Sequence, residues 1–464
     1  MKGRKKEFEE TETRTGGKAE LAVFILLLII ALGSTIGFGA VDQPAQALVF
    51  LVISITAALW AYGSWRTGRF CYSNSLVQLP LAGLVVIGVI QLLPLGGSSV
   101  PSELLSVAPS SALSIDPFAT RLFTIRLLFY LVFFAMALVF IRSARRLRTV
   151  VVVLLIFGPV MAMFGITQRL ADPDTIYGIR EAYQAIPFGP FVNQHHFAAL
   201  MVMISGIAFG LLAGGGVKRD KKPLLWIGVV IMLLALIFTS SRGALISYIG
   251  MALFVFLSAS ALRKRSERDD ASEARGRRLS MFAGAAAFIV IVLGLAAFMG
   301  VGDRYFRGIG DDTNTDVTNG RTHFWNIAGK IFLDSPVIGT GHDTYGIAFT
   351  KYDTWKGLYR LQNVHNEYLQ ALSDSGILGF ACVAAFIFLL FRDSLKVIFG
   401  RGSPLRASIA AGALAGILGI LIHSFFDFPL RTPSNGFVFL LLAALAVAQS
   451  DHALNDSTAA VSEP

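Results

Sequence analysis

The chain has 464 residues, 54% hydrophobic and 15% charged, with a mean hydropathy of +0.64. A soluble domain is nearer a quarter charged, so a soluble globular protein is excluded and a polytopic membrane protein is indicated. The net charge of +10 comes from short Lys and Arg clusters between apolar runs, which is a topology signal and excludes a nucleic-acid surface.

Residues 1–19 form a charged tail containing Lys2, Arg4, Lys5 and Lys6. No small-residue cleavage site follows it, so a retained first helix is expected, with the tail in the cytoplasm. Apolar runs of spanning length fall at about 20–41, 44–62, 76–95, 121–141, 149–170, 196–213, 223–240, 243–261, 280–301, 376–391, 406–422 and 436–450. The expected fold is therefore an all-α polytopic membrane protein of about 12 transmembrane helices. About nine spans lie in 20–301, a polar loop fills 302–375, about three spans lie in 376–450, and 451–464 form a second cytoplasmic tail.

With the N-terminus inside, about two thirds of the 40 Lys and Arg residues lie on cytoplasmic segments, including the clusters around Arg142–Arg148, Lys218–Lys222 and Arg392–Arg406. The positive-inside rule then holds at every inner loop. The segment Arg263–Arg278 reads as a solvated linker, with contact to anionic lipid heads as the other use of the same residues. Cys71 and Cys382 sit at different levels and have no CxxC partner, so neither a disulfide nor a thiolate metal site is expected.

This topology puts Arg242, Arg321, His195, His342 and His365 at or beyond the outer boundary, while the centres of the spans are nearly free of charge. Inside the outer loop, Thr322–Leu333 reads as a short helix with Phe324, Trp325, Ala328, Ile331 and Phe332 on one stripe, stopped by Asp334-Ser335-Pro336. A second helix is expected from Asn363, acting as its cap, with His365 in its first turn. There the positive end of the helix dipole would keep the imidazole neutral.

Arg242 follows Thr239-Ser240-Ser241 between two apolar runs. It is either topological punctuation or, together with Arg321, one of two guanidiniums whose planar forks suit a diphosphate. His365 is either a capping or core histidine or a general base that takes a hydroxyl proton. Asn363, Asn366 and Glu367 are placed to orient that base or to bind sugar hydroxyls. The adjacent pair His195-His196 has no HxxxH or HExxH spacing, so no catalytic metal is expected. No phosphate-binding GxxxxGK[ST] run and no dinucleotide fingerprint occurs, and no cofactor is expected.

These residues carry a resemblance. Ser240-Ser241-Arg242-Gly243 opens a span, and Gly320-Arg321 is followed by Trp325. Ser335-Pro336 precedes Gly339, Gly341 and Tyr345, and His365-Asn366-Glu367-Tyr368-Leu369 leads into Gly376-Ile377-Leu378-Gly379. In this order they resemble the O-antigen ligase / O-antigen polymerase superfamily of bacterial membrane glycosyltransferases, most specifically over about 195–392. Phe188-Gly189-Pro190-Phe191-Val192-Asn193 and His423-Ser424-Phe425-Phe426-Asp427-Phe428-Pro429 are weaker similarities.

The resemblance implies a GT-C-like bundle with one large periplasmic helical loop, in the bacterial inner membrane. It implies a metal-independent transferase that moves a glycan from undecaprenyl diphosphate to an acceptor hydroxyl. Arg242 and Arg321 would hold the donor diphosphate and His365 would activate the acceptor. Trp325, His195 and Asn193, in or beside the shared motifs, would contact the substrates. The acceptor is lipid A-core for a ligase, the preferred reading, or another lipid-linked glycan for a polymerase. A single base opposite the leaving group favours inversion. A secondary transporter, which twelve spans would also fit, would place its polar groups near the midplane.

Overall fold

The computed structural model describes residues 2–96, 111–182, 185–263, 294, 320–355, 361–400 and 403–448. The expected span at 280–301 lies outside them apart from Gly294. The Arg263–Arg278 linker beyond Arg263, the first part of the polar loop and the C-terminal tail also lie outside. In chain order the helices are α1 (Lys2–Ile36), α2 (Gln43–Thr67), α3 (Gln78–Gln91), α4 (Pro117–Phe140), α5 (Ala144–Ala171), α6 (Gln194–Ala213), α7 (Lys222–Phe238) and α8 (Arg242–Arg263). They continue with α9 (Arg321–Asp334), α10 (Tyr345–Thr350), α11 (Glu367–Phe399), α12 (Pro404–His423) and α13 (Pro433–Val447). One two-stranded hairpin, Thr175–Ile176 with Arg180–Glu181, joins α5 to α6.

Eight helices among the described residues are long and apolar enough to cross a membrane. Three shorter apolar helices, Gln78–Gln91, Arg242–Ser258 and Pro433–Val447, fall where the sequence predicts further spans. The chain is thus an all-α polytopic membrane protein. Local chemistry sets the ends of its helices. Asp116 caps α4 by accepting from the Phe118 and Ala119 amides, ahead of Pro117. Ser143 and Ser403 cap α5 and α12 by accepting from the amides of Arg146 and Arg406. Each of these bonds satisfies a donor that the first turn leaves without a partner.

Helix α6 is buried on all sides from His196 to Leu212 and packs most extensively on α12. Lipid tails give two apolar helices little hydrophobic reason to associate, so close backbone approach has to supply the contact. Gly206 and Gly210 of α6 meet Gly412 and Gly416 of α12, and a Cβ on Gly206 would fall 2.6 Å from the Gly416 Cα. These two helices and α13 form the centre of the bundle, and α2 lies at its edge.

The polar loop has a small core of its own. Phe324, Ile327, Ala328 and Ile331 of α9 pack with Tyr345 and Phe349 of α10 and with Val364. The Tyr345 hydroxyl donates to the Phe324 carbonyl at 3.0 Å. The stripe expected on α9 is present at Phe324, Ala328 and Ile331, with Ile327 as a further member and Trp325 half-buried against it, whereas Phe332 is not part of this core.

The second loop helix departs from expectation. It starts at Glu367, not Asn363, because the Asn366 side chain accepts from both the Tyr368 and Leu369 amides. It also runs on into the following span as one element, α11, broken only at Gly376 (φ 63°, ψ −166°). Only a residue without a Cβ enters that conformation readily. The groups freed by the break are taken up by the segment after Pro336. The Thr340 and Gly341 amides donate to the Ser373 and Asp374 carbonyls at 3.1 and 3.0 Å, and the Ile377 and Leu378 amides donate to Pro336 and Val337. The Ser335-Pro336 to Gly341 motif thus serves as the cap of a broken helix.

Candidate active site

The structure puts His365 one residue outside the helix, before its cap, with φ 56°. The expected first-turn position is therefore corrected. A left-handed backbone at a residue with a Cβ costs energy and has to be held by its surroundings. Here the holding contacts come from the corner between α12 and α13. The Glu367 amide donates to the Ser424 carbonyl at 2.9 Å, Asn366 Nδ2 donates to the Phe425 carbonyl at 3.2 Å, and Glu367 Oε1 accepts from the Leu430 amide at 3.0 Å.

The same corner presents Asp427. Its Oδ1 lies 3.2 Å from His365 Nδ1, with the Asp427 side chain 2% exposed and His365 29%. Burial alone would raise the Asp427 carboxyl. The hydrogen bond to His365 and the nearby histidines outweigh it and hold the carboxyl well below its ordinary range, as a carboxylate. Phe428 packs edge-on to the His365 ring at 4.8 Å, and Phe324 of α9 lies 6.4 Å away. Asp427 carries no role in the sequence reading. Its signal was an isolated carboxylate in a short apolar connection on the same side of the bundle as His365.

Arg242 is the first residue of α8, after Ser241, whose hydroxyl accepts from the Ala244 amide at 3.3 Å. The next residue, Gly243, lies so close to the corner that a Cβ there would sit 2.9 Å from Phe426 Cβ. Arg321 opens α9 one turn before Phe324. Burial works against the Arg321 charge and lowers its pKa, Asp427 opposes that shift, and Arg242 adds repulsion. The guanidinium stays charged. His195 feels the charges of Asp427, Arg321, His365 and Arg242 together. Asp427, Arg321, His365 and Arg242, from the α12–α13 corner, α9, the segment before α11 and α8, therefore all lie within electrostatic reach of His195 on α6. Such a cluster suits an anion that accepts bidentate hydrogen bonds.

The other residues singled out by sequence are placed differently. Asn193 caps α6 by accepting from the His195 amide at 2.8 Å. Asn366 caps α11, and Glu367 lies 3.7 Å from Arg431 Nε besides holding the Leu430 amide. Trp325 Nε1 and Asn363 Oδ1 are buried in the loop with no hydrogen-bond partner among the described residues. His342 is occupied at both ring nitrogens, 2.9 Å from the Leu84 carbonyl and 2.8 Å from Ser375 Oγ. A carbonyl only accepts, so Nε2 carries the proton and Nδ1 accepts from the serine. Burial pushes the His342 pKa down from 6.5 to about 4. Cys71 and Cys382 are both free.

Beside the site, Arg431 binds three carboxylates. It contacts Asp343, lies 2.9 Å from Asp374 and approaches Glu367. Burial opposes its charge, but the three acids outweigh this and raise its pKa. Asp374 Oδ1 also accepts from the Tyr345 amide at 3.0 Å. This ion cluster ties the loop to the corner that carries Asp427.

Fold and site together define a polytopic helical membrane protein whose clustered ionisable groups lie where a polar loop meets one end of the bundle. Residues 227–384 match the model of the O-antigen ligase family, which over that stretch supports a likeness to the O-antigen ligase / O-antigen polymerase superfamily. The matched stretch contains Arg242, Arg321 and His365, whereas Asp427 and Arg431 lie beyond it. A search of curated proteins finds no match to this chain.

Proposed function

We propose that the protein is a glycosyltransferase of the bacterial inner membrane, with its site facing the periplasm. It moves a glycan from undecaprenyl diphosphate to an acceptor hydroxyl. The observation that carries this reading is the convergence of Arg242 and Arg321 with the His365–Asp427 pair. The two guanidiniums receive the donor diphosphate. As the anomeric bond breaks, negative charge builds on that leaving group, and fixed cations that meet it there lower the barrier. The Asp427 carboxylate accepts a hydrogen bond from His365 Nδ1–H, which leaves Nε2 to take the proton of the attacking hydroxyl. One base on the face opposite the leaving group gives inversion. His195 stands beside both groups and contacts the donor, while Asn363 and Trp325 belong to the acceptor side of the loop.

Lipid A-core is the preferred acceptor, which makes the protein a ligase. A second lipid-linked glycan, giving a polymerase, uses the same residues. The test is purified protein with lipid-linked glycan, offered with and without lipid A-core. Product on lipid A-core supports the ligase, and lengthened lipid-linked chains in its absence support the polymerase. No transfer in either tube by protein that retains donor binding overturns the reading.

A further inference from the structure

A polar cavity lies at the end of the bundle opposite the α12–α13 corner. It encloses about 290 Å³ between the start of α3 and the ends of α4, α11 and α13. Its rim carries Ser73, Asn74 and Ser75 from the connection before α3, together with the cations Arg142, Arg392 and Lys396. Its floor is apolar, formed by Leu76, Ala137, Leu138, Ile141, Ala444 and Val447. Among the described residues Asp393 is the one carboxylate in the lining, against three cations. It is 14% exposed and binds Arg392 through Nε at 2.9 Å and Lys396 through Nζ at 2.9 Å. Lys396, 60% exposed, keeps further donors for a ligand, since an ammonium has three.

Arg142 is fixed by its Nε donating to the Leu138 carbonyl at 2.8 Å, and its own carbonyl accepts from Arg406. The rim cations are therefore held in place around an apolar well. An independent feature sets the level of this rim. Trp60 stacks on Phe70 and meets Phe140 edge-on, Phe70 stacks on Tyr72, and Trp65 and Tyr72 are 78% and 63% exposed. Exposed aromatic rings of this kind gather at the headgroup level of a bilayer. Tyr72 is followed directly by Ser73 of the rim.

An anion with an apolar body fits such a place, and a free anion would leave the apolar floor unused. We propose that this cavity is a binding site for the phosphodiester headgroup of an anionic membrane phospholipid, its acyl chain lying over the floor between α4 and α13. Basic pockets between helices at a membrane face bind lipid phosphate through charge and through hydrogen bonds from fixed donors. The site is separate from the His365 cluster and does not depend on the reaction assigned there.

Native mass spectrometry of the full chain, released from nanodiscs that contain phosphatidylglycerol or only phosphatidylcholine, tests the assignment. Retained phosphatidylglycerol, weakened about fivefold for each cation removed in Arg392→Gln and Lys396→Gln, is the expected result. Asn74→Asp, which adds a carboxylate to the rim and leaves every ion pair intact, should weaken retention to a similar degree. Equal retention by wild type and Asn74→Asp overturns the proposal, as does equal retention of the two lipids by wild type. Inorganic phosphate at millimolar concentration should not displace the lipid, and displacement by phosphate alone would assign the site to a soluble anion instead.

Discussion

His365 Nδ1 and Asp427 Oδ1 stand 3.2 Å apart although 62 residues separate them in the chain. An ionised carboxylate only accepts, so the pair fixes the histidine tautomer with its proton on Nδ1. His365→Ala is therefore expected to lower transfer by about 10²–10⁴-fold, the usual worth of a general base, with donor binding largely kept. Asp427→Asn should lower turnover with little change in the donor KM. Turnover and lipid-linked donor binding, measured on the same preparations, check both. Near-normal turnover of His365→Ala would remove it as the base.

Arg242 and Arg321 come from helices about 80 residues apart in the chain and act on one another electrostatically beside Asp427. Each charge-assisted hydrogen bond is worth about 1.5–3 kcal/mol. Arg321→Ala should thus weaken donor binding by roughly tenfold to a hundredfold, and Arg321→Lys should recover only part of that, because an ammonium lacks the planar fork. Titration with a polyprenyl diphosphate lacking the glycan reads this effect apart from catalysis.

Arg431 is bound by Asp343, Glu367 and Asp374. Its removal leaves buried carboxylates without their cation, and such losses cost about 3–5 kcal/mol. Arg431→Met should lower the thermal transition strongly. Asp343→Asn should do so weakly, since Asp343 is 37% exposed and the other two acids keep their partner. Equal effects of the two substitutions would show that the cluster is not the stabilising unit.

His342 titrates at about 4 when folded, against an ordinary 6.5. The unfolded chain binds the proton first, so stability from this group is full above 6.5 and is lost as pH falls from 6.5 to about 4, by roughly 3 kcal/mol. Thermal transitions between pH 7 and pH 4 should fall more steeply for wild type than for His342→Gln. Parallel curves would contradict this.

Gly206→Leu should separate α6 from α12. The Gly206 position meets the Gly416 backbone, which cannot move aside as a flexible side chain would. Overpacking of this kind costs typically about 1–3 kcal/mol. Loss of thermal stability in detergent, with Gly329→Leu as an exposed-space control, measures it, since a Cβ at Gly329 meets nothing.

The helical class, the stripe on α9 and the stop at Pro336 were legible because each rests on local periodicity or on a residue that cannot continue a helix. Arg242, Arg321 and His365 stood out for a related reason, as charged or titratable groups beside long apolar runs. The start of α11 was misplaced because Asn363 and Asn366 are equally good caps by composition. Only the amides of Tyr368 and Leu369 decide between them. Asp427 and the partners of Arg431 were not legible, since both depend on contacts between residues 57 to 88 apart in the chain. From sequence, Asn366 and Glu367 are expected to orient the base or to bind sugar hydroxyls. The fold uses their side chains to bind the α12–α13 corner.

The break at Gly376 also sets a dimension. Helix α11 has 33 residues, about 50 Å at 1.5 Å per residue, against about 30 Å of hydrocarbon. The nine residues from Glu367 to Ser375 precede the break and add about 13 Å to one end. They act as a ruler that fixes how far the imidazole stands from the break at Gly376. One residue inserted between Tyr368 and Ser373 would raise His365 by about 1.5 Å and turn it by about 100°, away from Asp427. The length of this short segment is therefore under the same constraint as the identity of the residues it carries.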